Sequence, residues 1–175
     1  MFGVCYYPEH WPQSKWQEDA QMMAELGLTY VRIGEFAWSK LEPNPGELNF
    51  NWLDEAILTL SNAGLKVVLG TPTATPPKWL IDQHPDILPV DINSGLVRGF
   101  GSRRHYDFSS EIYLRESIRI TKALAARYGA HRGVVGWQTD NELCCHDTTL
   151  SGSENALREF QSWCRDRYQS IEQLN

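Results

Sequence analysis

The sequence predicts an α/β fold, read as roughly the first four β/α units of a (β/α)8 TIM barrel. Three observations lead to it. Short apolar segments rich in β-branched residues alternate with longer amphipathic ones, glycine or proline punctuates the junctions, and polar side chains gather directly after the strand segments. With 175 residues, 42% of them hydrophobic and 11% aromatic, the chain can bury a core, which excludes a disordered segment and a disulfide-held miniprotein.

The strand segments are 2–7, 29–33, 66–69 and 134–138. Each is short and largely apolar, as buried parallel strands are. Helical periodicity runs over 14–26, ending at Gly27, over 51–63, ending at Gly64, and over 110–128, ending at Gly129. Ser14 stands three residues before Gln17 in capping-box spacing, and Asn51 is placed to cap a helix with Asp54 and Glu55 in its first turn. A last helix, over 154–169, follows Ser151 and Ser153. Leu53, Ile57 and Leu60 form one apolar stripe and Leu114, Ile118 and Ala125 another, and both are expected to face a sheet.

Sixteen Lys and Arg against 22 Asp and Glu give a net charge of −6, and no basic run offers phosphates a track, so nucleic acid is not an expected partner. The longest apolar stretches, such as 65–70 with its Lys66, fall far short of the roughly 20 residues of a membrane span, so no membrane association is expected. Cys5, Cys144, Cys145 and Cys164, two of them adjacent, do not make a disulfide framework, which points to reduced thiols and a cytoplasmic location. The N-terminus shows no basic stretch, apolar run and cleavage site of a secretory signal.

Alternation by itself allows an open doubly wound sheet or a barrel. The first strand-to-helix turn, Tyr7-Pro8-Glu9-His10-Trp11-Pro12, has no glycine to admit a pyrophosphate, which argues against a dinucleotide-binding sheet. Glu9 and His10 follow the first strand, Glu35 the second, Thr71 and Thr73 the third, and Asp140, Asn141 and Glu142 the fourth. The C-terminal ends of consecutive strands are where a barrel assembles its site. Since such a barrel takes about 250 residues, four units make 1–175 the N-terminal half of one catalytic domain. The connection 71–109 carries Pro72, Pro76, Pro77, Pro85 and Pro89 among Trp79, Ile81, Ile87, Leu88, Val90 and Phe100, so an ordered loop packed over the rim is expected.

Gly136-Trp137-Gln138-Thr139-Asp140-Asn141-Glu142 runs from a strand into three consecutive acidic or amide side chains. Cleaving a glycosidic bond needs one carboxyl to protonate the departing oxygen and a second to attack or stabilise the anomeric carbon. Glu142 suits the first role. Asn141 can hydrogen-bond the hydroxyl at sugar position 2, a contact that strengthens as the oxocarbenium ion forms. The plainer alternative is that these residues cap the next element or solvate a loop.

Four blocks together resemble a family. Cys5-Tyr6-Tyr7-Pro8-Glu9-His10-Trp11-Pro12, Arg32-Ile33-Gly34-Glu35-Phe36-Ala37-Trp38, Gly101-Ser102-Arg103-Arg104-His105-Tyr106 and Gln138-Thr139-Asp140-Asn141-Glu142 resemble, in order and across essentially the whole chain, the blocks of glycoside hydrolase family 42 β-galactosidases. The resemblance implies a retaining, exo-acting enzyme with a TIM-barrel catalytic domain that releases terminal β-D-galactose from β-galactosides. It matches Glu142 to the general acid/base and carries Asn141 and Arg103 onto galactose-binding positions. Arg32 and Glu35 match positions near the site, where an ion pair or support from behind is expected. The family's nucleophilic glutamate lies on a later strand, past Asn175, which implies that these residues alone are inactive. In the complete pair the carboxyls stand about 5–5.5 Å apart, with the Glu142 pKa raised by burial and by its partner.

Some members of the family hold zinc through a cysteine after the Arg-His-Tyr block and three more after the acid/base. Here Asp107 follows Tyr106 and no cysteine follows Cys145 until Cys164, so no metal or other cofactor is expected, and Cys144, Cys145, His146 and Asp147 read as ordinary packing. Trp11, Trp38 and Trp79 fall near catalytic-face loops, where an indole can stack on a sugar ring, whereas Trp16, Trp52 and Trp163 fall in helical patterns and read as core. His10 and His105 read as groups that satisfy loop hydrogen bonds. Two other readings stay open: another retaining barrel glycosidase, of β-glucosidase or endoglucanase type, and a non-catalytic sugar-binding half-barrel. Open strand edges predict a homo-oligomer if half a barrel stands alone.

Overall fold

A computed structural model describes residues 2–101, 106–143 and 150–175 of the chain. Among the described residues the strands are β1 (Gly3–Cys5), β2 (Tyr30–Ile33), β3 (Lys66–Gly70) and β4 (Val134–Gln138). The helices are α1 (Gln13–Glu25), α2 (Trp38–Leu41), α3 (Asn51–Asn62), α4 (Lys78–Gln83), α5 (Glu111–Tyr128), α6 (Glu154–Arg167) and α7 (Ile171–Leu174). All strand pairs are parallel, and their spatial order is the chain order, β1-β2-β3-β4. A doubly wound sheet reverses its order at a switch point. This one does not.

Side chains alternate across the strands and sort the two faces. Val31, Ile33, Val67 and Leu69 pack with Ala20 and Met23 of α1, Leu53, Ile57 and Leu60 of α3, and Leu124 and Tyr128 of α5. The three long connecting helices therefore lie on one face. A sheet wound in one direction with its helices on one side curls about the other side, which is barrel geometry. The outer strands β1 and β4 leave Val4, Val135 and Trp137 exposed. No helix among the described residues is long and apolar enough to cross a membrane.

The expected elements form, with local corrections. Helix α1 starts at Gln13 behind Pro12, so Ser14 lies inside the helix and no capping box is made. Pro12 already has an extended backbone suited to entering a helix, and the Trp16 indole fixes that entry by donating to the Pro8 carbonyl at 3.0 Å. Asn51 is the first residue of α3 and not its cap; Phe50 holds that position, and the Asn51 amide donates to the Asn49 side-chain oxygen at 3.3 Å. On α5, Leu114 and Ile118 are exposed, and the buried face is Tyr113, Ser117, Ile120, Leu124 and Tyr128. The tyrosines can be buried because their hydroxyls are answered, Tyr113 by the Thr73 carbonyl at 2.9 Å and Tyr128 by Asp54 at 2.8 Å. Trp163 of α6 is exposed as well, stacked on Phe160.

The connection 71–109 is ordered through helical turns at Pro72–Ala74 and Pro85–Ile87, helix α4 and an antiparallel bridge between Val90 and Val97. A second apolar cluster of Trp38, Leu80, Ile81, Ile87, Tyr106, Tyr113 and Ile120 seats it, with Trp79 and Leu88 against its edge.

Two carboxylates near these loops have opposite surroundings. Glu42, fully buried behind α2, accepts from the Trp38 indole at 3.0 Å, the Gly46 amide at 2.7 Å and the Arg119 guanidinium at 2.7 Å. Both oxygens of Glu9, in the helical turn Pro8–His10, are buried without a hydrogen bond from any other described residue. Burial pushes the Glu9 pKa up and Glu35 adds to the effect, while its own backbone amide, His10 and Lys40 oppose it.

Glu42→Ala would strand three donors, and chemical denaturation is expected to show a loss of about 3 kcal/mol. Breaking the exposed Lys78–Asp82 pair with Lys78→Ala should change stability by less than about 1 kcal/mol. For Glu9 the folded chain binds its proton more tightly than the unfolded chain does. That contribution is present below the unfolded pKa and is lost as pH rises through the folded one. Glu9→Gln should therefore raise the unfolding temperature near neutral pH, and the gain should fade as pH falls and vanish below about pH 3.5, where the wild-type carboxyl is largely protonated in both states.

Candidate active site

Where β2 ends, the chain turns through Gly34 at φ 91° and buries Glu35 completely. Its carboxylate meets the Arg32 guanidinium at 2.8 Å, the ion pair expected from sequence. Burial works against the Arg32 charge, and Glu35 together with Cys5 and Tyr7 outweighs it, so the guanidinium is held charged. Gly70, at the end of β3, allows this close passage, because a Cβ there would lie 2.6 Å from the Glu35 Cβ. Tyr7 stacks between His10 and Phe36, at 5.4 and 5.9 Å between ring centroids. Its phenol pKa is pushed up by burial and by Glu35, with Arg32 pulling the other way.

The end of β4 is tied to the end of β3. The Thr71 amide donates to the Gln138 carbonyl at 2.9 Å, and the Asp140 amide donates back to the Thr71 hydroxyl at 2.7 Å. The Gln138 side-chain amide donates to the Asp140 carbonyl at 2.7 Å and to the Asn141 side-chain oxygen at 3.1 Å. One oxygen of the Asp140 carboxylate accepts from the Tyr106 hydroxyl at 2.9 Å and the Asn141 amide at 2.6 Å. The other accepts from Thr73 at 3.0 Å and faces the Tyr113 hydroxyl at 3.5 Å. Burial raises the Tyr113 pKa and the Asp140 charge adds to it, so this phenol keeps its proton as a donor. Asp140 and Glu142 are both left-handed, at φ 57° and 47°.

Glu142 and Asn141 thus stand together after β4, Asn141 buried and Glu142 exposed. The burial expected around Glu142 is not supplied by the described residues. An exposed carboxyl beside a clamped amide, at the C-terminal end of a barrel strand, is equipped for proton transfer to a ligand that the amide orients. Arg103 lies outside the described residues, as do His105, Cys144, Cys145, His146 and Asp147.

The tryptophans divide differently from their expected grouping. Trp38 is fully buried and Trp79 is partly so, and both indoles donate to Glu42, to its carboxylate at 3.0 Å and its carbonyl at 2.9 Å. They brace the loops, and Trp38 presents no open ring to a sugar. Trp11 is exposed on the rim. Sequence reasoning passed over the Asp140 carboxylate as a hub and Tyr113 as one of its donors. Thr71, Thr73 and Tyr106 were visible at strand ends or within a block, whereas Tyr113 in a helical pattern carries no such signal.

The profile of the glycoside hydrolase family 42 beta-galactosidases matches residues 5–175. A beta-galactosidase of Thermus thermophilus is 59% identical over 175 residues, covering 100% of this chain and 27% of that protein. The beta-galactosidase Bga of Halorubrum lacusprofundi is 49% identical over 173 residues, 99% of this chain and 25% of its own. The crystal structure of the beta-galactosidase from the psychrophilic Marinomonas ef1 matches with a TM-score of 0.96 at 57% identity, over 99% of this chain and 26% of that one. This chain spans about a quarter of the length of these relatives. With an in-order parallel sheet, helices on one face and a profile match over nearly every residue, the chain belongs to glycoside hydrolase family 42, the β-galactosidases, and its fold is that of the first four β/α units of their TIM barrel.

Proposed function

We propose that residues 1–175 are the N-terminal half of the catalytic domain of a longer retaining β-galactosidase, with Glu142 as its general acid/base and Asn141 and Arg103 as galactose-binding residues. The observation that carries this reading is the placement of Asn141 and Glu142 at the C-terminal end of β4, with the Asn141 amide group held by Gln138. A carboxylate from a later strand attacks the anomeric carbon while Glu142 gives its proton to the departing glycosidic oxygen. Glu142 then takes a proton from water, whose oxygen displaces that carboxylate from the same carbon, and galactose leaves with its anomeric configuration retained. Asn141 accepts or donates at the 2-hydroxyl as positive charge develops on the ring. Arg103, always charged and rich in donors, grips the galactose hydroxyls. On this reading 1–175 alone has the proton donor and lacks the nucleophile.

In the full-length protein, Glu142→Gln is expected to lower the rate of lactose hydrolysis about 10²–10⁴-fold. Arg103→Ala is expected to raise KM for lactose more than it lowers kcat, because it binds the sugar throughout the reaction. Residues 1–175 produced alone should release no galactose from lactose. Full-rate turnover by that piece, or a preference of the full-length protein for nitrophenyl β-glucoside over the β-galactoside, would defeat the proposal.

A further inference from the structure

We infer that Asp140 is the positioning residue of the acid/base, setting the direction in which Glu142 leaves the sheet; the inference rests on the reading of Glu142 given above. Three consecutive polar groups before Glu142 are tied down. The Asp140 amide is held by Thr71, the Asp140 carbonyl by Gln138, and the Asn141 amide by the Asp140 carboxylate itself. That carboxylate is in turn gripped by Thr73, by Tyr106 and, at longer range, by Tyr113, which come from the turn after β3, the long loop and α5 respectively. Three separate segments therefore converge on one side chain, and its position follows the packing of the barrel wall instead of the flexibility of a loop.

The backbone supplies the second observation. A left-handed residue is tolerable for Asp, whose short side chain can bond locally, and unfavourable for Glu, which gains nothing from it. The φ of 47° at Glu142 is thus imposed by its surroundings. The last constrained residues before it are Asp140, itself at φ 57°, and Asn141. Asp140 converts the end of a regular strand into two reversed residues on either side of Asn141, which buries the amide and projects the carboxyl to the exposed face. A proton donor held this way meets the leaving oxygen without a search among rotamers and backbone states.

The test uses the full-length protein and two substrates, lactose, whose leaving group needs a proton, and 2,4-dinitrophenyl β-galactoside, whose leaving group does not. The readout is kcat/KM, which reports the step in which the leaving group departs. Glu142→Gln serves as the reference and should impair lactose far more than the dinitrophenyl substrate. Asp140→Ala should show the same selectivity, about tenfold or more on lactose and less than about threefold on the other. Asp140→Asn, which tolerates the left-handed backbone and keeps an accepting oxygen, should recover most of the lactose rate. Tyr106→Phe removes one donor without touching the backbone and should give a smaller loss of the same selectivity, so the test survives if the alanine variant does not fold. Equal losses on both substrates for Asp140→Ala and Tyr106→Phe, with Glu142→Gln still selective, would overturn the inference and leave the acid/base assignment standing. A Glu142→Gln variant without selectivity would overturn the assignment itself, and the inference with it.

Discussion

All three long helices that connect the strands pack on one face of a parallel sheet whose strands follow chain order, and the rest of the structure depends on that constraint. It sends Val31, Ile33, Val67 and Leu69 toward the helices and leaves the opposite face of the sheet for what a barrel encloses. It also brings the C-terminal ends of successive strands side by side. Thr71 and Asp140, 69 positions apart in sequence, become hydrogen-bonding neighbours because β3 and β4 are adjacent and run in the same direction.

The polar architecture then follows from the cost of burying charge. Glu42, Asp107 and Asp140 each lie where the chain has left regular structure, and each is met by several donors. Glu42 joins α2, the following turn and α5 through an indole, an amide and a guanidinium. Asp107 accepts from the Ser109 amide and from the hydroxyl of Ser153, which also caps α6, and so ties the long loop to the last long helix. Asp140 does the same for the end of β4. Glu9 is the contrasting case, buried beside Glu35 without such donors.

Much of this was legible along the chain. Glycine and proline punctuation marked the strands to within a residue or two, and β4 falls on 134–138 as read. The Leu53, Ile57 and Leu60 stripe is buried as expected, since regular spacing on a short helix leaves one choice of face. The same reasoning failed on α5, because it counts leucine and isoleucine as inward and cannot see that tyrosine hydroxyls at 113 and 128 will find acceptors. It failed for Trp38 on similar grounds, since its indole is drawn inward to the buried Glu42 carboxylate and its ring is fully covered. The start of α3 falls on Asn51 as read, but neither Ser14 nor Asn51 serves as a cap, because each lies inside its helix behind Pro12 or Phe50.

The sequence by itself determined the alternation of strands and helices, the polar ends of the strands, and the blocks that carry the family resemblance. These are local patterns or residue types, which need no knowledge of what touches what. Only the tertiary structure decided how the strands are ordered and which side chains hold the others. The grip of Thr73, Tyr106 and Tyr113 on Asp140 is of that kind, because hydrogen bonds between groups 27 to 67 residues apart arise only once packing has brought their elements together.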